Sequence, residues 1–193
     1  MKAEPYMTEI IRQRIHDHID TAKTLYDHEE IINKVVSLIC QCIKNGNKVL
    51  CCGNGGSAAD SQHMVAEMVG RYLLNRKAFP AIALTTNTSN ITAIANDLDF
   101  SDIFSRQIEA LGVAGDVLIL FSTSAVSPNI TKSIEIAKKK KITSIGFTGP
   151  RNFLIPCDYE IHINSHDTPR IQEMHITLIH IICELIEKEL AHV

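Results

Sequence analysis

Apolar positions change their period along the chain. Up to about residue 46 they recur every three to four residues, with Ile31, Ile32, Val35, Val36, Ile39 and Ile43 on one stripe, the spacing that gives a helix one apolar face. Two helices are predicted, over residues 8–26 and 29–45, with Gly46 as the C-terminal stop of the second. After that, short apolar runs alternate with helical stretches. Strands are expected over 48–52, 81–85, 116–121, 143–148 and 159–163, and helices from Ser57, Asn87, Ser127 and Thr168. The run at 48–52 has no polar alternation, as in strands whose two faces are both covered. Such alternation argues for an α/β fold, a parallel sheet with helices on both faces.

In such sheets ligands bind beyond the carboxyl ends of the strands, and the polar loops all fall there. After the first strand comes Gly53-Asn54-Gly55-Gly56-Ser57, after the second Thr85-Thr86-Asn87-Thr88-Ser89, after the third Ser122-Thr123-Ser124. Glycines let main-chain N–H groups approach an anion, and the helix beyond adds partial positive charge. Ser127-Pro128 is a strong helix start, with Ser127 as N-cap and Pro128 in the first turn. With Ser122, Thr123 and Ser124 it places four hydroxyls within six residues, a neutral site for phosphate.

His63 and Glu67 are four residues apart on the helix that follows the first loop, so they can grip one metal ion or one substrate carbon together. The last helix opens in the same way at Thr168-Pro169 and carries Gln172, Glu173, His175 and His180. Gln172 and His180 are eight residues apart and look towards the same side. On its stripe of Ile176, Ile179 and Ile182, His180 alone reads as a hydrogen-bonded core histidine; beside His63 and Glu67 it becomes a candidate ligand. Residues 53–58 also fit the dinucleotide pattern G-x-G-x-x-A, but Thr85-Thr86-Asn87 stands where the ribose-binding acid belongs.

Composition narrows the class. At 193 residues and 45% apolar the chain suits one domain, a helical segment over about 1–46 followed by an α/β core over about 47–193. A balance of 19 basic against 22 acidic residues offers no general attraction to nucleic acid or acidic membranes. No signal segment or membrane-length apolar run is visible, so a cytoplasmic protein is expected. Six cysteines without a CxxC pair suit reduced core thiols. Leu25, Ile31 and their neighbours pack either within the chain or against a second copy.

The chain resembles the sugar isomerase (SIS) domain family and, within it, the phosphoheptose isomerases. The likeness is carried by residues 52–60 with His63 and Glu67, by 81–86, Asn96-Asp97, 104–107, 115–118, Ser122-Thr123-Ser124, and by Arg170-Ile171-Gln172-Glu173 with His175 and His180. It implies a flavodoxin-like three-layer sandwich with a five-stranded parallel sheet, and a homotetramer joined through the N-terminal helices with active sites between subunits. The implied activity is interconversion of sedoheptulose 7-phosphate and a manno-heptose 7-phosphate. The resemblance also implies a divalent metal, usually zinc, held by His63, Glu67, Gln172 and His180, with Glu67 and His180 as the acid/base pair. Asn54, Gly55, Gly56, Ser57, Asn96, Asp97, Ser122, Thr123, Ser124 and Ser127 would hold the sugar phosphate. A non-catalytic SIS protein bound to a replication initiator, and an isomerase of another sugar phosphate, are the alternatives.

Two departures from the family pattern stand out. Ala125-Val126 replaces a usual Gly-Asn in the phosphate turn, so a left-handed residue at 125 would carry a Cβ where none is expected. Residues 149–156 lack the family's glycine-rich turn.

Overall fold

The computed structural model describes residues 5–150 and 156–191; most of the atypical 149–156 segment lies outside them. Helices α1 (Pro5–Lys23) and α2 (Glu29–Lys44) are joined by a 3-10 turn, Thr24–His28. There follow β1 (Val49–Gly53), α3 (Gly56–Val69), β2 (Ala81–Ala83), α4 (Thr88–Asp97), α5 (Ser105–Leu111), β3 (Val117–Ser122), α6 (Pro128–Lys139), β4 (Thr143–Thr148), β5 (Tyr159–His162) and α7 (Thr168–Leu190). The strands form one parallel sheet in the order β2-β1-β3-β4-β5, the flavodoxin-like order.

Period-two alternation within the strands builds the three layers. Val49 and Cys51 of β1, with Val117, Ile119 and Phe121 of β3, face the side covered by α2, α3 and α7. Leu50 and Cys52, with Leu118 and Leu120, face the side covered by α5 and α6, with Ile91 and Ile94 of α4 at its margin. On α7, Ile171, Met174, Leu178, Ile179, Ile182 and Ile186 are buried, each contributing about 1.5–3 kcal/mol.

The connections after adjacent strands β1 and β3 leave towards opposite faces, since α3 packs in one core and α6 in the other. That divergence opens a crevice at the strands' carboxyl ends, between the loops expected to hold an anion. The six cysteines are free thiols, and burial pushes Cys52 and Cys183 up to about 12, which leaves them protonated and unreactive. Leu25 is buried within the chain and Ile31 packs against the core. A row of exposed apolar side chains lies earlier, on α1: Met7, Ile10, Ile11, Ile15 and Ile19. No helix among the described residues is long and apolar enough to cross a membrane.

Candidate active site

The first half of the site is built from two turns. After β1, Gly55 has φ 57° and ψ −122°, a region a side chain would exclude. Gly56 lies in close contact with α7. A Cβ there would lie 2.8 Å from Cδ of Gln172, so Gln172 of α7 rests directly on the turn. After β3, Ala125 has φ 59° and donates its N–H to Ser122 Oγ at 3.1 Å. The turn thus uses the left-handed conformation at 125, and alanine adopts it at a cost of about 1–2 kcal/mol. Ser127 sits at the N-cap of α6 with its carbonyl accepting from Ile130 and Thr131, but its hydroxyl makes no capping bond. Ser127 is thus the N-cap, as expected, through its main chain. The last helix begins at Thr168, as expected, with Asp167 rather than Thr168 at its N-cap.

A cavity of about 70 Å³ lies between the two turns, lined by Asn54, Ser57, Ser122, Thr123, Ser124, Ser127 and Gln172 with Phe121. Asn54 and Asn129 tie the turns together through reciprocal amide hydrogen bonds of 2.9 and 2.8 Å. Asn129 is 1% exposed, and the sequence did not single it out. Asn96 and Asp97 end α4; both are exposed and hydrogen-bonded to each other at 2.7 Å, and neither lines this cavity.

The second half lies where α3 and α7 run side by side in the same direction. Gly56 meets Gln172 at one level, and His63 meets His180 at the next. His63 Nε2 is 3.1 Å from Glu67 Oε1 and 3.2 Å from His180 Nε2. Two imidazole nitrogens and a carboxylate oxygen lie within 4.8 Å of one another, a group suited to a metal ion. The fit is good on geometry: donors at about 2.05 Å from a tetrahedral zinc stand about 3.3 Å apart. Tyr72 stacks on His180 with ring centroids 5.7 Å apart and 24° between planes, another contact the sequence did not signal. Asp60, one turn before His63, is buried with Oδ2 lacking a partner among the described residues. Burial pushes its carboxyl up to about 6 against the opposing charge of His63. His175 does not join the cluster. It lies at 0% exposure against Phe121 and Phe147, and burial pushes it down to about 4.

A small cradle of neutral polar groups beside an imidazole–carboxylate cluster, at the switch point of a flavodoxin-like sheet, is an arrangement suited to a sugar phosphate. The SIS domain model matches residues 15–149. The chain belongs to the SIS domain family, and its place there is among the phosphoheptose isomerases. It is 49% identical to the phosphoheptose isomerase of Clostridium acetobutylicum over 95% of this chain and 96% of that one. The solved phosphoheptose isomerase of Neisseria gonorrhoeae superposes with a TM-score of 0.88 at 38% identity, covering 94% of this chain and 99% of the other. That of Francisella tularensis does so with 0.86 at 32%, covering 97% and 100%.

Proposed function

We propose that this protein converts D-sedoheptulose 7-phosphate to D-glycero-D-manno-heptose 7-phosphate in the cytoplasm, supplying heptose for lipopolysaccharide or capsule precursors. The observation that carries the reading is the hydroxyl cradle, lined by Gln172 of α7, together with the His63–Glu67–His180 cluster that α3 and the same helix form. We assign the phosphate to Ser122, Thr123, Ser124 and Ser127, and the sugar to Asn54, Gly55, Gly56, Ser57, Asn96, Asp97 and Gln172. His63, Glu67, Gln172 and His180 would hold a divalent cation, zinc by its preference for nitrogen donors with a carboxylate. A bound cation supplies Lewis-acid stabilisation of the charge that develops on the two substrate oxygens.

In the proton transfer, a Glu67 carboxylate oxygen takes a proton from C1 of the ketose. The C–H electron pair forms the C1=C2 bond, and the C2 carbonyl oxygen gains a proton from His180, giving the enediol. Glu67 then returns its proton to C2 while His180 takes the O1 proton, which yields the aldose and restores both residues. Only Oε1 of Glu67 is engaged by His63, so we assign proton abstraction to Oε2; this separates the ligand and base roles of one carboxylate.

We infer a homotetramer with sites between subunits. The exposed apolar face of α1 supports it, as does a groove of about 610 Å³ lined by Ile19, Leu25, Ile32, Ile181 and Leu185. The test is turnover of sedoheptulose 7-phosphate by purified protein loaded with zinc. Turnover is expected; absence of turnover together with tight binding to a replication initiator would overturn the assignment.

A further inference from the structure

One buried charge network in this molecule plays no part in the chemistry assigned above. Glu187 lies on α7 seven residues beyond His180, on nearly the same side of the helix, and is 1% exposed. Its carboxylate accepts main-chain N–H bonds from Tyr72 at 2.7 Å, Leu73 at 2.8 Å and Leu74 at 2.9 Å, and a bond from Arg76 Nε at 2.9 Å. Burial would raise the carboxyl, but these N–H bonds and the Arg76 charge outweigh it and hold it below the usual carboxylate range.

Arg76 carries the link back to the site. Its Nη2 donates to the carbonyl of Glu67 at 2.8 Å, and its Nη1 to the carbonyl of Met68 at 2.9 Å. The guanidinium lies 3.7 Å from the centroid of Phe79, with its side chain only 5% exposed. The network bears on two members of the cluster. Arg76 holds the last turn of α3, from which Glu67 projects, and the anchored N–H of Tyr72 places its ring on His180. The chain between α3 and β2 has no regular structure over 70–80, so without Glu187 nothing periodic would set where Tyr72 stands.

We propose that Glu187, acting through Arg76 and the main chain of Tyr72, Leu73 and Leu74, is a positioning residue that sets the separation and ring orientation of the Glu67–His63–His180 cluster. This rests on the reading of that cluster as the reacting and metal-holding group. Groups behind metal ligands affect metal affinity by about 10–100-fold when removed, and Glu187 reaches two of the three clustered residues at once.

The test compares Glu187→Gln, Tyr72→Leu, Tyr72→Phe and a control, Ile134→Ala, which opens a hole in the opposite core. Each is stripped of metal and then titrated with zinc against a chromophoric chelator, and the imidazole nitrogen shifts of His63 and His180 are recorded in the metal-free state. Values of kcat and KM for sedoheptulose 7-phosphate complete the set. Glu187→Gln and Tyr72→Leu are expected to weaken zinc binding about tenfold, move the His180 resonances and lower kcat with KM little changed. Tyr72→Phe keeps the ring and restores all three. Ile134→Ala loses stability without moving them. Unchanged imidazole shifts and zinc affinity in Glu187→Gln and Tyr72→Leu, or equal losses in Ile134→Ala, would overturn the proposal. Should Glu187→Gln fail to fold, the contrast between Tyr72→Leu and Tyr72→Phe decides. A wild-type protein that takes up no zinc would sink the metal reading alone, since the metal-free imidazole shifts still report on positioning.

Discussion

The two halves of the site are made from different materials. The cradle consists of two turns, each complete within about six neighbouring residues, and it offers main-chain N–H groups and short hydroxyls at helix starts. The cluster depends on side chains, one of its contacts spanning 117 residues of sequence, and it is held by helix packing and the Arg76–Glu187 network. A main-chain site tolerates a side-chain change that leaves the turn intact, as Ala125 does at φ 59°. A side-chain site has no such reserve, because each donor atom belongs to one residue.

If that contrast is right, changes to the cluster appear in kcat, whereas changes to the cradle appear in KM or in stability. The largest expected effect is from Glu67→Gln, which removes the base and lowers kcat by about 10³-fold while KM stays within about threefold. Steady-state kinetics with sedoheptulose 7-phosphate check this, and a rise in KM with kcat preserved would erase the distinction. Next is Asn129→Ala, which leaves the Asn54 amide without its reciprocal partner and loosens the two turns against each other. It should raise KM about tenfold, consistent with about 1–3 kcal/mol for an unpaired polar group, and leave zinc affinity unaltered. Loss of zinc affinity in this variant would mean that the halves are one coupled unit. The smallest is Ala125→Gly, which relieves the Cβ in a left-handed position and raises the unfolding free energy by up to about 1 kcal/mol. The urea midpoint reads it out, and a lowered midpoint would show that the turn gains more from the buried methyl than it loses to strain.

Legibility in the sequence followed the same division. Both turns were readable because glycines, hydroxyls and Ser127-Pro128 signal locally. The pairing of Asn54 with Asn129 was not, since 75 residues separate them. Helix α5 escaped the apolar pattern because it is seven residues long and buries Gln107, whose amide bonds the carbonyls of Leu84 and Ile103. Strand β2 is shorter than expected, ending at Ala83. Beyond it Thr86 turns back to bond the Ala83 carbonyl through its hydroxyl. A weak signal for Glu187 did exist, a carboxylate among Ile182, Cys183, Ile186 and Leu190 on an otherwise apolar stripe. Nothing in the sequence marked Tyr72.

By itself the sequence determined the parallel α/β class, the two anion-binding turns and the i, i+4 pair of His63 and Glu67, because periodicity and turn chemistry act over a few residues. The strand order, the parallel alignment of α3 with α7, the meeting of His180 with that pair and the anchoring of Tyr72 by Glu187 were decided only by the tertiary structure. The last three require segments more than 100 residues apart to be packed by a shared core, and no local pattern encodes which distant faces will meet.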